Sequence, residues 1–381
     1  MNSLTKIAVV ASFLFACLIT PFAGSVTSAQ AAKYKIRWLI THQTLDYFNA
    51  AALNFKKDVE QGSNGEISVE IETAALNDKS QAEVAAQIAG QVASGEAQMG
   101  HTFTNILGEL DHRMWAFDLP YLIEGYGHQE AVFEGPLGPE LLEGLRERGM
   151  VGLTFTYSGG AQGIATTERE IRNPQDLKGL KVGVFGNAVD NAWLSRLGAT
   201  PVSLGHNLGQ ILPKTKDGTI DAVVVTWRRL HEARLHEKYK FVSMMNATHL
   251  TSISYINEKF LASLPQEYRT LIKESAVKAG RIERANTIAL NETSKREMMS
   301  KGVRPVYLSD EGRQKFKQAL KPVYKETLVG LVGESLIKRI SKADPQHPYP
   351  DGADEEEETS LELALVRPPS KVPLALLRSK P

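Results

Sequence analysis

Asn173-Pro174-Gln175-Asp176-Leu177-Lys178-Gly179-Leu180-Lys181-Val182-Gly183-Val184-Phe185-Gly186-Asn187, with Trp193 and Leu197-Gly198-Ala199-Thr200-Pro201-Val202 downstream, reads as one strand-helix-strand unit. A capped turn of helix ends at Gly179, and Lys181–Phe185 is a short buried strand. A Gly/Asn turn then starts an amphipathic helix, which Gly198 ends before a strand over Pro201–Leu204. Open α/β sheets bind ligands beyond the carboxyl ends of their strands. The ligand-facing loop of this unit is therefore expected at Phe185–Asn187.

The same alternation extends on both sides. Upstream, strands over Lys35–Ile40, Ile67–Ile71 and Gln98–Phe103 are separated by helices over Asp46–Gln61 and Gln81–Ser94. Phe48, Ala51, Ala52, Phe55 and Val59 fall on one face of the first of these helices. This βαβαβ order predicts a sheet covered by helices. Asp118-Leu119-Pro120-Tyr121-Leu122 breaks the rhythm, and helices follow over Gly127–Phe133 and Pro139–Arg148. Val151–Tyr157 is strongly β-forming and leads into Ser158-Gly159-Gly160, where the chain is expected to change lobe. Downstream come a helix near Leu208–Lys216 and strands over Ile220–Thr226, Phe241–Met245 and Ser252–Ile256. A long, outwardly charged helix over Gln266–Lys301 precedes a strand at Arg304–Tyr307, and Asp310 caps a helix running through Leu320. Leu328, Leu331, Val332, Leu336, Ile337 and Ile340 continue a helical stripe.

At 381 residues the chain can hold two domains. Lys+Arg and Asp+Glu are 44 each, a balance that asks for neither nucleic acid nor an anionic membrane surface. Lys6, the apolar run Ile7–Ile19 and Ser28-Ala29-Gln30-Ala31 have the layout of a signal peptide, so residues 1–31 are expected to direct export. The one cysteine, Cys17, lies in that run, and the mature chain is expected to have no disulfide or thiolate. From residue 344 the composition turns Pro-rich and then acidic, which predicts a disordered tail over 344–381.

Motifs for chemistry are largely missing. His231 and His236 are five apart rather than four, so they do not share a helix face for zinc. There is no Gly-x-Ser-x-Gly elbow, Walker loop or dinucleotide glycine fingerprint, and no cofactor or metal is expected. Phe103, Tyr157, Phe185, Trp193 and Trp227 fall at or near strand ends. Each alone reads as core; together they can line a cleft around a small solute. An exported hydrolase using Asp118 and His101 is the alternative from another class, and a binding module feeding a sensor is a third reading.

The ordered motifs resemble the DctP-type substrate-binding proteins of tripartite ATP-independent periplasmic (TRAP) transporters. The resemblance runs from about Lys35 to Ala343. It rests on Phe55-Lys56-Lys57-Asp58-Val59-Glu60, Asn64-Gly65-Glu66-Ile67-Ser68-Val69, Phe117-Asp118-Leu119-Pro120-Tyr121-Leu122, and Ile171-Arg172 leading into the stretch quoted first. Leu197–Val202, Gly218-Thr219-Ile220-Asp221 and Leu264-Pro265 complete it. It implies a two-lobe α/β fold of the periplasmic-binding-protein type (type II), with hinge strands, a long bridging helix and no catalysis. One lobe is expected to hold 33–157 and 248–287, the other 158–247 and 288–343. A small organic solute enters the cleft, the lobes close, and the closed monomer docks on sodium-coupled TRAP membrane subunits in the periplasm. The expected ligand contacts are His42, Phe103, Tyr157, Gly183, Phe185, Asn187 and Trp227. Asn187 is expected to hydrogen-bond the solute, and Phe185 and Trp227 to pack against it. His42 and Tyr157 also read as a loop residue and a hinge-strand core residue.

The pocket departs from the family pattern. Family members usually carry an arginine two residues after the lysine of Leu-Lys-Gly-Leu-Lys, where it forks a carboxylate; here that residue is Gly183. A second family arginine matches Gly163 or Gln162, and Val223-Val224-Val225 stands where polar residues often follow Asp221. Two readings compete. Either the solute is not a simple carboxylate, or another basic residue replaces the fork, with Arg228 and Arg229 as candidates. The first is favoured, because both arginines read as surface residues at a helix start. On that reading Asp118 or Asp190 would serve a cationic solute, although Asp190 also reads as an ordinary first-turn helix acid.

Overall fold

The computed structural model describes residues 32–41, 46–73, 81–185, 188–205 and 208–343. The expected signal peptide and tail, His42 and Asn187 lie outside these residues. The described strands are β1 (Tyr34–Ile40), β2 (Ile67–Thr73), β3 (Met99–Phe103), β4 (Met150–Ala161), β5 (Gly163–Thr166), β6 (Lys181–Val184), β7 (Thr200–Ser203), β8 (Ala222–Val225), β9 (Phe241–Met244), β10 (His249–Asn257) and β11 (Arg304–Tyr307). They form two mixed sheets, ordered β2-β1-β3-β10-β4 and β11-β9-β5-β8-β6-β7.

In the first sheet β1 runs parallel to β2 and β3, while β10 is antiparallel to both β3 and β4. Helix Asp46–Gly62 covers one face because its predicted stripe, Phe48, Ala51, Ala52, Phe55 and Val59, is buried there. Trp38 of β1 meets Phe48 and Phe55 edge-on, with ring centroids 5.7 and 5.0 Å away. In the second sheet β6 is parallel to β7 and β8, with Val182 opposite Pro201 and Ala222. The turn before β6 is held by a capping box. Asn173 accepts the N–H of Gln175 at 3.1 Å, and Asp176 accepts the N–H of Asn173 at 2.9 Å.

The chain passes between the lobes several times. β4 pairs with β10 as far as Ala161 opposite His249, and only Gln162 separates it from β5 in the other sheet. Met245–Thr248 makes the return from β9 to β10. Helix Gln266–Ser300 packs on helix Asp46–Gly62 and β4 near one end, and on helix Trp227–Glu232 near the other. Finally, helix Asp310–Val323 packs on helix Ala188–Arg196 of the second lobe, and Tyr324 just beyond donates its hydroxyl to Pro120 O at 2.6 Å in the first.

Several elements differ from expectation, three of them near the crossings between the sheets or the start of the long helix. β4 runs four residues past Tyr157, because Gly160 and Ala161 still have partners on β10. β5 was not expected, since four residues of Gly-Ile-Ala-Thr show no alternation; tertiary pairing with β8 and β9 makes it a strand. The short helix Glu258–Ser263, capped by the Asn257 side chain, was also not foreseen.

Candidate ligand site between the lobes

The carboxyl ends of β3, β6 and β8 meet between the two sheets. Phe103 is the last residue of β3, Phe185 follows β6, and helix Trp227–Glu232 follows β8. Arg229 on that helix joins the three. Its Cζ lies 5.1 Å from the ring centroid of Phe103 and 4.9 Å from that of Phe185, so one guanidinium touches an aromatic ring from each lobe. Arg229 is only 4 % exposed.

Local sequence explains its direction. Thr226 caps the helix, its hydroxyl accepting the Arg229 N–H at 3.3 Å. Trp227 and Leu230 bury in the second-lobe core with Phe185, Val223 and Val225. Arg228 turns the other way: its Nε donates to Glu232 at 2.9 Å, and its backbone N–H donates to Asn291 Oδ1 at 3.0 Å. Arg229 is left pointing at the first lobe. This corrects the expectation that both arginines are surface residues. Burial of Arg229 depends on Phe103, which is 126 positions away and on another sheet.

Of the expected contacts, Phe103, Phe185 and Trp227 gather around this helix. Phe103 belongs to neither main core; it packs with Ala85, Ile106 and Leu250. Gly183 shares the strand face of Phe185, but a Cβ there would lie 3.1 Å from both Ile220 Cδ1 and Leu204 Cδ1. Tyr157 is placed elsewhere. Its ring centroid is 4.8 Å from that of Tyr126, and its hydroxyl donates to Glu130 at 2.7 Å.

Tyr157 instead marks a hinge assembly that the sequence did not disclose. Ser158, Gly159 and Gly160 all have positive φ, at 45°, 124° and 64°. Buried Glu283 of the long helix accepts the N–H groups of Tyr157 at 2.7 Å and Ser158 at 2.9 Å. Asn291, two turns on, donates to Gly159 O. Asn291-Glu292-Thr293 has the Asn-x-Thr pattern of a glycosylation acceptor, and the burial of Asn291 removes it as such a site. Burial raises the Glu283 carboxyl to about 6 against the opposing pull of its hydrogen bonds from Thr287, Tyr157 and Ser158.

The hydrolase pairing finds no support in placement. His101 is a core residue, with its Nδ1 2.9 Å from Ser254 Oγ and its ring centroid 3.8 Å from that of Phe48. Burial lowers it to about 3, which keeps it neutral. Asp118 ends the 3-10 segment His112–Asp118, where burial first, and Asp190 second, push its carboxyl well above the usual range. Burial likewise lifts Asp190, which accepts from Trp193 Nε1 at 3.2 Å, to about 6. His231 pairs with Glu297 at 2.9 Å, and no group of three or more metal-ligating side chains occurs among the described residues.

Two cavities lie away from this place. One of about 10 Å³ is enclosed by Trp38, Phe48, Phe55 and Gly280, room for a water at most. The other, about 680 Å³, is an open groove between Asn173–Gln175 and Lys315–Ala319. Phe103 and Phe185 belong to different apolar clusters, and the Arg229 guanidinium lies against both rings.

Two α/β lobes joined by hinge strands and a bridging helix, with a site at the facing strand ends, define a binding protein that opens and closes. The family model for bacterial extracellular solute-binding protein, family 7 (DctP), matches residues 41–329, and the chain belongs to that family. Its members are non-catalytic components of TRAP transport, and the chain is a binding protein rather than an enzyme. It is 26% identical over 298 residues to the C4-dicarboxylate-binding periplasmic protein DctP of Rhodobacter capsulatus, covering 77% of this chain and 85% of the relative. Among solved structures, a TRAP periplasmic solute-binding protein from Ochrobactrum anthropi, whose C-terminus occupies its ligand pocket, superposes with a TM-score of 0.75. It is 21% identical over 82% of this chain and 95% of its own. A TRAP protein from Roseobacter denitrificans with bound β-D-glucuronate gives a TM-score of 0.72 at 21% identity, covering 81% and 100%. The TRAP fold, expected from the motif order, is the fold observed.

Proposed function

We propose that this chain is exported to the periplasm, captures a small organic acid between its lobes, and delivers it to the membrane subunits of a TRAP transporter. The observation that carries the ligand class is the buried Arg229 guanidinium touching Phe103 of one lobe and Phe185 of the other. A buried cation at the closing surface suits an anionic solute, and it supports the second of the two readings open at Gly183. Related proteins with a C4-dicarboxylate or β-D-glucuronate as ligand are compatible with this class. Closure is then a population shift, driven by contacts that the solute makes with both lobes only when they meet. Export rests on residues 1–31, and the membrane partner on family membership.

The test is a thermal-shift screen of the purified mature protein against organic acids, amines, polyols and neutral aromatics. A solute at about 100 times its Kd stabilises by about 2.7 kcal/mol. Carboxylates are expected to give the largest shifts. Amines or neutral solutes outranking every carboxylate would refute the organic-acid reading.

A further inference from the structure

We propose that Asn291 is a positioning residue for solute capture: it ties the helix after β8, one wall of the cleft, to the strand at which the chain crosses between the lobes. This inference rests on the reading above only in taking the space between the lobes as the place of capture.

Asn291 lies toward the second-lobe end of the bridging helix and is 6 % exposed. Its Oδ1 accepts the backbone N–H of Arg228 at 3.0 Å, and its Nδ2 donates to Gly159 O at 2.5 Å. An N–H can only donate and a carbonyl can only accept, so these two backbone partners leave the amide a single orientation. Arg228 is the second residue of helix Trp227–Glu232, and its N–H is one of the donors that a helix start leaves without an internal partner. The next donor, the N–H of Arg229, is held by the Thr226 hydroxyl. One donor is thus capped from within the segment and one from the bridging helix. Gly159 also meets this helix start directly. Its φ is 124°, and a Cβ there would lie 3.0 Å from Thr226 Cγ2 and 3.2 Å from Thr226 Oγ1.

The crossover is gripped on both sides of Gly159. Before it, Arg284 donates to Phe155 O at 2.9 Å, and Glu283 accepts the N–H groups of Tyr157 and Ser158. After it, Tyr126 of the first lobe accepts the N–H of Ala161 at 3.2 Å. Of these side chains and Asn291, it is Asn291 that also bonds the helix after β8. That helix sets Trp227 and Leu230 in the second-lobe core and Arg229 against Phe103 and Phe185. A turn of the strand at Gly159 is therefore passed through one amide to the cleft wall, and hinge and wall move together. Without the amide, Gly159 O and the Arg228 N–H each lose a buried partner. The solute-free protein then spreads over lobe arrangements that the tie excludes, and the fraction competent to bind falls.

Electron–electron double resonance on the solute-free mature protein reads the lobe arrangement, with spin labels at Leu53→Cys on the first lobe and Lys216→Cys on the second, both exposed positions. Amide hydrogen exchange over residues 227–232 reads the cleft helix, and the melting temperature reads the fold. Asn291→Ala is expected to widen the inter-lobe distance distribution by about 2 Å or more. It should also speed exchange in the helix by about tenfold or more. Asn291→Asp keeps an acceptor for the Arg228 N–H but turns a carboxylate oxygen on Gly159 O. It is expected to widen the distribution while the helix stays protected. A variant that melts lower but keeps the wild-type distribution has lost only stability, and overturns the proposal. So does a wild-type distribution in Asn291→Asp, or unchanged helix exchange in Asn291→Ala. If Asn291→Ala does not fold, Asn291→Asp decides; if neither folds, Asn291 is inseparable from the fold and the positioning role falls. None of these measurements involves a solute, so their failure leaves the organic-acid reading intact, and a failed solute screen leaves the tie intact.

Discussion

Gly183 shows how one residue reads differently alone and in place. As a letter in the motif it is a lost arginine. In the fold it is a packing position, where even a Cβ would press on Ile220 and Leu204 at 3.1 Å. Gly183→Arg is therefore expected to lower the stability of the ligand-free protein by about 1–3 kcal/mol, measured by urea unfolding. A neutral or stabilising effect would mean that the cleft already has room there. The complementary residue is Arg229, whose role the sequence concealed. Its helix neighbours Trp227 and Leu230 show which side is core, but nothing local shows that Phe103 closes over the remaining side. Glu283 was concealed for the same reason: it lies among charged residues of a long helix, and only the fold sets it against the N–H groups of Tyr157 and Ser158. Its pH behaviour follows. Burial raises its carboxyl from 4.5 to about 6, so the unfolded chain releases the proton first as pH rises. The stability that Glu283 contributes is complete below about pH 4.5 and is lost as pH rises through about 6. The stability difference between wild type and Glu283→Gln should therefore favour wild type by about 2 kcal/mol more at pH 4.5 than at pH 7.5. Equal differences at the two pH values, by urea unfolding, would sink this account.

At the scale of elements, legibility followed length and periodicity. Helices Asp46–Gly62 and Gln266–Ser300, and strands β1, β2, β3 and β11, were legible because each carries its own pattern over several residues or ends at a clear Gly or Pro signal. β5 and helix Glu258–Ser263 are four and six residues long and owe their form to neighbours. The bridging helix was legible as a helix, but its grip on β4 was not. Gly280 lies where that helix crosses the hinge strand, and a Cβ there would be 2.3 Å from Thr154 Oγ1 and 3.2 Å from Phe155 O. Gly280→Ala would gain about 1 kcal/mol in helix propensity. Overpacking of a stiff β-branched side chain and a strand carbonyl costs about 1–3 kcal/mol, and the second effect is expected to win. A net loss of melting temperature is predicted. A gain would show that helix and hinge strand can separate without penalty.

At the scale of the molecule, the two lobes share a core in addition to the one that each holds by itself. One hydrophobic cluster contains Leu39, Phe155 and Tyr255 of the first sheet together with Ile164, Val182 and Val224 of the second. Phe316, Leu320 and Ile340 of the C-terminal helices belong to the same cluster. Those helices are also tied to the first lobe, where His128 Nε2 hydrogen-bonds Ile340 O at 2.8 Å and Lys317 pairs with Glu124 at 2.7 Å. Hinge bending must therefore take place at the open ends of the strands while this shared core stays intact. The consequence is a single cooperative unfolding transition despite the two-lobe shape. Trp38 in the first lobe and Trp193 in the second allow a direct check through variants that retain one tryptophan each. Urea midpoints from the two probes are expected to coincide. Phe316→Ala, which removes a fully buried ring from the shared cluster, should shift both midpoints together by an amount equivalent to about 3–5 kcal/mol. If only the Trp193 midpoint moved, the lobes would be unfolding independently. The closing motion would then have to be treated as two domains docking rather than one body bending.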